Sequence, residues 1–360
     1  MKKSIFIALS ITIASIISTQ WSCKKPTDTT VQDPYSPTPY ILQAPTGFPA
    51  PFIPNDNKLT KEGINLGKHL FYDVTLSKNK TQSCSSCHNQ AMAFTDNNKA
   101  VSTGVDNIAG HRNAQPLINL AFRPNSFFWD GRAITLEQQI EGPVPNPIEM
   151  HLEWIEAIQR LQTHTTVDYK TLFYKAFGTK EITKELTIKA LAQFLRTMVS
   201  SNSTYDKFVR NQAVLTPSEL NGFQIYTTER GDCFHCHSLA ADGQGTDNQF
   251  HNNGLDATFI DKGRGDVTHQ TYDDGKFLTP TLRNIALTAP YMHDGRFTSL
   301  EEVVNHYNSG GVASPTVDVL MKHQGVGLEL TPQDRTDLIN FLKTLTDDDF
   351  INNPAYKTPF

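Results

Sequence analysis

The chain contains little cysteine, few charged residues and no long basic run. Only five of its 360 residues are cysteines, and four of these form two C-x-x-C pairs, so a disulfide framework is not expected. The net charge is −5 and no basic run is present, which argues against a nucleic-acid partner. Alternating strand patterns are scarce as well, so the sequence predicts a mainly α-helical fold.

The N-terminus predicts a secretory signal peptide over residues 1–22. Its apolar run, Ile5–Ile17, follows two lysines and is too short to predict a membrane-spanning helix. Cys23 comes next, where bacterial lipoprotein signals place their modified cysteine, so we expect a lipid anchor there. Plain cleavage that leaves a free cysteine is the alternative. The proline-rich residues 23–55 predict an extended tether, with ordered structure beginning near Leu59.

The rest of the chain repeats itself once. Trp129-Asp130-Gly131-Arg132 recurs as His293-Asp294-Gly295-Arg296, an offset of 164 residues (293 − 129). We therefore predict two homologous domains in tandem, over residues 56–205 and 206–350.

Each half contains one C-x-x-C-H motif. The motifs are Cys84-Ser85-Ser86-Cys87-His88 and Cys233-Phe234-His235-Cys236-His237. In this motif the two thiols form thioether bonds to a haem, and the histidine binds its iron. This composition would give roughly 0.002 copies by chance. A thioredoxin-like redox pair or a zinc site would leave the histidine without a role. We predict two covalently bound c-type haems with His88 and His237 as axial ligands.

The two halves differ at the sixth position of the iron. Tyr307 follows Leu300 by seven residues on the apolar face of a predicted helix, so it should point inwards. Its counterpart in the first half is Pro143, which cannot bind iron. One haem should therefore be capped by a side chain while the other has an open site. Met292 and Met321 are alternative ligands, and Tyr307 as a core residue bonded to the backbone is a further alternative.

An open haem iron that splits peroxide needs a group that moves a proton between the two oxygens. Gln139, Glu141 and Glu149 lie around Pro143 in the sequence. A carboxyl group in an apolar haem pocket suits this role, because burial raises its pKa towards neutrality. In isolation Glu149 would be assigned to the surface, and the proline-rich loop 142–147 is compatible with either placement.

Together these motifs resemble the bacterial di-haem cytochrome c peroxidases and the related MauG enzymes. The resemblance rests on both C-x-x-C-H motifs and on residues 128–132, 142–150 and 287–295. It spans about residues 59–345, and it implies two cytochrome c-like haem domains joined in tandem, mainly helical and with long loops.

The resemblance also implies roles for individual residues. Glu149 matches the catalytic acid–base of the family, Gln139 its distal hydrogen-bonding partner and Trp129 the tryptophan between the haems. A calcium ion between the domains is implied too, with oxygen ligands from three residues: Asn113, Thr288 and Pro290.

Two features depart from the peroxidase pattern. Peroxidases have methionine where this chain has Tyr307, which is the residue typical of MauG. Peroxidases that need reductive activation carry a distal histidine, expected here near Val105, and Lys99–Gly110 contains none. His111 is too close to Asn113 to replace it. We therefore expect a peroxide site that is open without prior reduction.

The resemblance implies a periplasmic, membrane-anchored peroxidase that reduces hydrogen peroxide to water. A small cytochrome c or copper protein would donate electrons through the second haem, and a homodimer is compatible with the sequence. Two alternatives remain open. One is MauG-like oxidation of a protein side chain, and the other is a di-haem electron carrier without peroxide chemistry, in which both irons would be six-coordinate.

Overall fold

The computed structural model describes Met1, residues 34–239 and residues 243–360. The predicted signal peptide, apart from Met1, and Cys23 lie outside the described residues, so secretion and the lipid anchor stay predictions. In the described part of the chain, every helix is too short or too polar to cross a membrane.

The fold is mainly α-helical, as predicted, with long loops between its helices. The helices are α1 Lys61–Tyr72, α2 Cys84–Cys87, α3 Leu136–Glu141, α4 Trp154–Gln162, α5 Tyr169–Phe177, α6 Lys184–Arg196, α7 Thr204–Val209, α8 Pro217–Tyr226, α9 Arg264–Thr268, α10 Leu300–Asn308, α11 Pro332–Lys343 and α12 Asp348–Asn352. Two short strands, β1 Phe250–His251 and β2 Phe277–Leu278, pair antiparallel, with Phe250 opposite Leu278.

Side-chain caps determine where the helices begin. Thr216 accepts the N–H of Glu219 at 3.3 Å, and the Glu219 carboxylate accepts the N–H of Thr216 at 2.7 Å. Ser299 and Glu302 form the same capping box at the start of α10. Each box satisfies backbone donors that the first helical turn leaves without partners, so it determines where its helix starts.

One helix pair forms the frame of each half. Helix α1 packs against α6, and α8 packs against α11. A Cβ atom added at Gly67 of α1 would lie 2.0 Å from the backbone oxygen of Ala190, and one added at Gly222 of α8 would lie 2.0 Å from that of Asp337. A glycine therefore allows the same close approach of two helices in both halves.

The sequence repeat is also a repeat of structure. The bridge between Phe127 and Ala133 recurs between Tyr291 and Phe297, at the same offset of 164 residues. The turns that these bridges close contain Gly131 with φ of 69° and Gly295 with φ of 68°. One turn is thus built twice, from equivalent residues.

Buried apolar side chains form two clusters, one centred on each helix pair. The first contains Leu66, Phe94 and Phe194, and the second contains Tyr226 and Phe341. Two C-terminal side chains, Phe350 and Tyr356, belong to the first cluster, so the chain returns to the first half at its end. The domain boundary near residue 205 stays a prediction.

Residues 35–55 differ from the free tether that we predicted. Tyr35 donates a hydrogen bond to the backbone oxygen of Ala176 at 3.4 Å. The ring of Phe48 lies 5.1 Å from that of Phe122, and the guanidinium of Arg283 lies 4.9 Å from the Phe48 ring. Proline-rich composition predicts an extended backbone, but these aromatic side chains attach that backbone to both halves.

A buried polar network joins the ends of α6 and α11. Asp347 is 2% exposed, and its Oδ2 accepts hydrogen bonds from Ser200 Oγ and from the N–H groups of residues 201 and 202, at 2.8–2.9 Å. Asn119 bonds both backbone groups of Ser200, and Asn284 bonds Ser200 Oγ and the N–H of Asp347. One carboxylate thus satisfies donors from the segment that connects the two halves.

Replacing this carboxylate should destabilise the protein. We expect Asp347→Ala to lower the free energy of unfolding by on the order of 3 kcal/mol, because each buried donor left without an acceptor costs about 1–3 kcal/mol. Denaturant unfolding of the holoprotein measures the loss. The control is Asp348→Ala, which removes an exposed carboxylate one residue further on and should cost less than about 1 kcal/mol. Equal losses in the two variants would contradict the role of the network.

Candidate haem-binding sites

The first C-x-x-C-H motif forms one helical turn. Helix α2 comprises Cys84–Cys87, and the N–H of His88 bonds to the backbone oxygen of Cys84 at 3.0 Å. The Nδ1 atom of His88 lies 2.8 Å from the backbone oxygen of Phe94, while burial lowers the pKa of the ring. A neutral imidazole that donates through Nδ1 keeps Nε2 free for a metal ion.

The second motif repeats this arrangement. The N–H of His237 bonds to the backbone oxygen of Cys233 at 3.0 Å, and its Nδ1 lies 3.1 Å from the backbone oxygen of Gly245. Burial lowers the pKa of His237 too. The hydroxyl of Tyr226 donates to the backbone oxygen of His237. In both motifs the histidine Nδ1 thus contacts a backbone oxygen, and ligation of iron by these histidines stays a prediction.

The four motif thiols fit haem attachment better than thiol redox chemistry. All four are free, and burial raises the pKa to about 12 at Cys84 and Cys233 and to about 11 at Cys87. Redox-active cysteines need a lowered pKa, because the thiolate is the reactive form. Two thiols beside a histidine match the donor set of a c-type haem.

His251 is a residue of the second site that the sequence did not single out. Its Nε2 lies 2.8 Å from Asp247 and its Nδ1 lies 2.6 Å from Asp318. Burial opposes these contacts, but the carboxylates raise the pKa of the ring to about 11. His251, Asp247 and Cys236 approach each other closely enough to hold a metal ion. Both ring nitrogens already contact carboxylates, however. We therefore interpret His251 as a structural residue that links β1 to the loop containing Asp318, rather than as a metal ligand.

A cavity of about 230 Å³ occupies the second half. Its lining includes both cysteines of the second motif, His237 and the three candidate sixth ligands, together with apolar side chains: Tyr307, Met292, Met321, Leu282, Leu300, Val304 and Leu342. This lining fits a haem, which needs an apolar pocket with an axial ligand from the protein.

Tyr307 faces this cavity, as predicted, whereas the neighbouring His306 does not line it. The Tyr307 oxygen accepts a hydrogen bond from Asn253 Nδ2 at 3.1 Å, and burial raises the pKa of the phenol to about 12. The partner is thus a side chain rather than the backbone group that the core-tyrosine alternative requires. Ligation of the iron by Tyr307 stays a prediction.

Glu149 lies close to the first motif. Its Oε1 accepts a hydrogen bond from Asn146 Nδ2 at 2.7 Å. Burial raises the pKa of Glu149, although the Asn146 amide and the charge of Arg132 act against this. Its carboxylate contributes to the raised pKa values of Cys84 and Cys87, so it lies within electrostatic range of both thiols. Glu149 is half-buried rather than exposed on the surface.

Asn146 was missed by the sequence argument, although a signal for it was present. An asparagine before a proline favours an Asx turn, in which the side chain bonds residues further along. Here Asn146 Oδ1 accepts the N–H of Ile148 at 3.2 Å, which turns Nδ2 towards Glu149.

Gln139 and Pro143 belong to the same region of the first half. Gln139 is half-buried on α3, and its backbone oxygen accepts the N–H of Gly142 at 3.3 Å. The backbone oxygen of Pro143 accepts the N–H of Met150 at 3.2 Å. The distal hydrogen bond implied for the Gln139 side chain stays a prediction.

Trp129 links the two halves. It is 8% exposed, and it lines the cavity of the second half although it belongs to the first half. Its Nε1 donates to the backbone oxygen of Asn113 at 2.8 Å, and its own backbone oxygen accepts the N–H of Leu278. Arg112 forms an ion pair with Asp130, in the same turn, at 2.6 Å and a second ion pair with Asp261 at 2.7 Å.

The three residues implied for calcium all line the same cavity. The backbone oxygen of Asn113 is taken by Trp129, and its amide nitrogen donates to the backbone oxygens of Lys99 and Ala100. The oxygens that remain as candidate calcium ligands include no carboxylate: they are Asn113 Oδ1 and the backbone oxygens of Thr288 and Pro290. Calcium sites usually contain carboxylates, so calcium stays a prediction.

Known proteins resemble this chain over most of its length. Residues 61–214 match the family described as di-haem cytochrome c peroxidase, and residues 220–346 match cytochrome c. The methylamine utilization protein MauG of Methylorubrum extorquens is 37% identical, over 81% of this chain and 80% of the relative. The cytochrome c551 peroxidase of Nitrosomonas europaea is 34% identical, over 82% and 81%.

Solved structures give the same result. A MauG-like protein associated with microbial copper homeostasis is 35% identical with a TM-score of 0.81, covering 89% of this chain and 99% of that one. The di-haem peroxidase BthA of Burkholderia thailandensis is 23% identical with a TM-score of 0.72, over 90% and 98%, and shares the fold.

Glu149→Gln should make stability less sensitive to pH. Because burial raises the native pKa above the ordinary value of 4.5, the carboxyl ionises at lower pH in the unfolded chain than in the native protein. The wild type therefore loses stability as pH rises from the unfolded pKa through the native one. The neutral variant lacks this loss. The difference between its free energy of unfolding and that of the wild type should therefore become more favourable to the variant between about pH 4 and about pH 7.

Denaturant unfolding at both pH values measures this gain. The control is Glu141→Gln, which replaces an exposed carboxyl that pairs with Lys184 on the surface. This control should follow the wild-type pH dependence. Parallel curves for Glu149→Gln and the wild type would show that the Glu149 carboxyl is not buried in the native protein.

Proposed function

Because the chain belongs to the family of di-haem cytochrome c peroxidases and MauG proteins, we propose that it is a periplasmic oxidoreductase that reduces hydrogen peroxide to water. The observation that carries the proposal is the buried carboxyl of Glu149, held by Asn146 near the first C-x-x-C-H motif. Pro143, at the position equivalent to Tyr307, leaves the first haem without a side-chain sixth ligand from that position.

When bound, the haem of the first site supplies the iron at which peroxide accepts two electrons. Glu149 takes a proton from one peroxide oxygen and returns it to the other, so that this oxygen leaves as water. Burial raises the pKa of Glu149 above that of an exposed carboxyl, so the group holds the proton more strongly between the two transfers. Asn146 binds Oε1 and orients the group, which assigns proton transfer to Oε2.

The remaining residues position the substrate and conduct electrons. Gln139 donates a hydrogen bond to the substrate on the distal side of the first haem site. A haem held by Cys233, Cys236 and His237 would receive electrons from a small cytochrome c or copper protein. Trp129, which lines the cavity of the second half from a turn of the first half, would pass them to the first site. Two electrons and two protons convert each peroxide molecule into two molecules of water.

A second candidate function is MauG-like oxidation of a protein side chain. It is favoured by Tyr307, which stands where peroxidases have methionine, and by the 37% identity with a MauG protein. An anionic oxygen ligand stabilises ferric iron, so electrons would enter such a haem less readily. Steady peroxide reduction with a reduced cytochrome as donor favours the peroxidase, and turnover only with a protein substrate favours the oxidase.

Glu149→Gln should lower peroxide turnover by about 100-fold or more, since a positioned acid–base contributes about 10²–10⁴. The measurement is oxidation of a reduced small cytochrome by peroxide, with enzyme matched for covalent haem content. The control is Glu141→Gln, which replaces an exposed carboxyl that, like Gln139, precedes Pro143 in the sequence. It should keep wild-type turnover. An unchanged rate in Glu149→Gln would remove Glu149 from the mechanism.

A further inference from the structure

Asn253 lies between two of the candidate ligands of the second haem. It follows β1, and its side chain lines the cavity that contains His237. Its Nδ2 donates to the hydroxyl oxygen of Tyr307 at 3.1 Å and lies 3.5 Å from the sulfur of Met292. One amide group therefore contacts both the oxygen and the sulfur that face this cavity.

The backbone around Asn253 is held on both sides, so the protein determines where this amide lies. Asn252 is 2% exposed and donates to Ser314 Oγ at 3.0 Å and to Thr316 Oγ1 at 2.9 Å. Its Oδ1 accepts the N–H of Gly254 at 3.0 Å. On the other face, Nε2 of His306 lies 3.0 Å from the backbone oxygen of Asn253.

The hydrogen-bonding capacity of an asparagine amide matches these two contacts. Its NH₂ group has two donors, and a phenolic oxygen accepts more strongly than a thioether sulfur. One N–H bonds Tyr307, and the other is directed to the weaker acceptor, Met292. The contact holds the tyrosine oxygen in the cavity and occupies the methionine sulfur.

A hydrogen bond donated to an iron ligand also changes how strongly that ligand donates electrons. Second-shell groups of this kind tune the metal as well as orient the ligand. An N–H directed at a tyrosine oxygen withdraws charge from it, so the oxygen stabilises ferric iron less. The second haem would then accept an electron more readily than one with an unmodified tyrosine ligand.

We propose that Asn253 is a positioning residue that orients Tyr307 as the sixth ligand of the second haem and raises the reduction potential of that haem. The inference rests on the proposed di-haem function and on ligation by Tyr307. It explains how a tyrosine-capped haem can still take electrons from a small donor: the amide offsets part of the stabilisation that the oxygen gives to ferric iron.

The test compares holoproteins that carry Asn253→Leu, Asn253→Asp and Tyr307→Phe with the wild type. Leucine fills a similar volume without a donor, and aspartate keeps the shape of asparagine but presents oxygen in place of the N–H. Both variants should lower the midpoint potential of the second haem, with aspartate lowering it further. Both should also move the ferric tyrosine-to-iron charge-transfer absorption to longer wavelength, and the first haem should keep its potential and spectrum.

The matched control is Asn305→Leu, which changes an exposed asparagine on α10, the helix that carries Tyr307. It should leave both haems unchanged. A purely structural role for Asn253 predicts altered unfolding without a shift in potential. Aspartate keeps the test valid if leucine prevents folding.

The outcomes separate this inference from the proposed function. If Tyr307→Phe alters the spectrum of the second haem and both Asn253 variants leave its potential at the wild-type value, the role of Asn253 is overturned. If Tyr307→Phe leaves that spectrum unchanged, tyrosine is not the ligand and the inference fails with it. Peroxide turnover by the wild type is measured on the same samples, and its absence would overturn the proposed function whatever the Asn253 variants show.

Discussion

In each half, the ring of the C-x-x-C-H histidine forms a hydrogen bond with a backbone oxygen, and both candidate haem sites depend on this bond. His88 bonds Phe94 and His237 bonds Gly245, in each case through Nδ1. The bond sets the tautomer and the direction of the ring, so that Nε2 is the nitrogen left for iron. It also draws the loop after each C-x-x-C-H motif back onto the motif. The helix pairs and the repeated turn then hold the other walls in place.

The two halves share one frame but differ in the residues at one equivalent position. In the first half this position is Pro143, with the buried carboxyl of Glu149 nearby. In the second half it is Tyr307, and Asn253 bonds its oxygen. A site with proton-transfer capacity and no side-chain ligand suits peroxide, whereas a capped site suits electron transfer. Trp129 lines the cavity of the second half from a turn of the first half, and its place between the two haems stays a prediction.

Local patterns in the sequence were enough for some features and not for others. The haem motifs, the helical class, the repeat and the inward direction of Tyr307 could be predicted, because they follow from short-range spacing in the sequence. The partners of Tyr307 and Asp347 do not, because Asn253 is 54 residues from Tyr307 and Ser200 is 147 residues from Asp347. The packing of residues 35–55 also depends on distant surfaces that composition does not describe. Glu149 could be placed only once the turn at Asn146 was known.

The asymmetry between the two haems is the central claim, and spectroscopy tests it most directly. EPR and optical spectra of the holoprotein as isolated should be recorded before and after one equivalent of peroxide. We expect a high-spin ferric signal from an open first haem that disappears with peroxide, beside a low-spin signal from the capped second haem. Two low-spin signals that peroxide leaves unchanged would contradict the account. Repeating the experiment on half-reduced protein would then separate a peroxidase that needs reductive activation from a di-haem electron carrier.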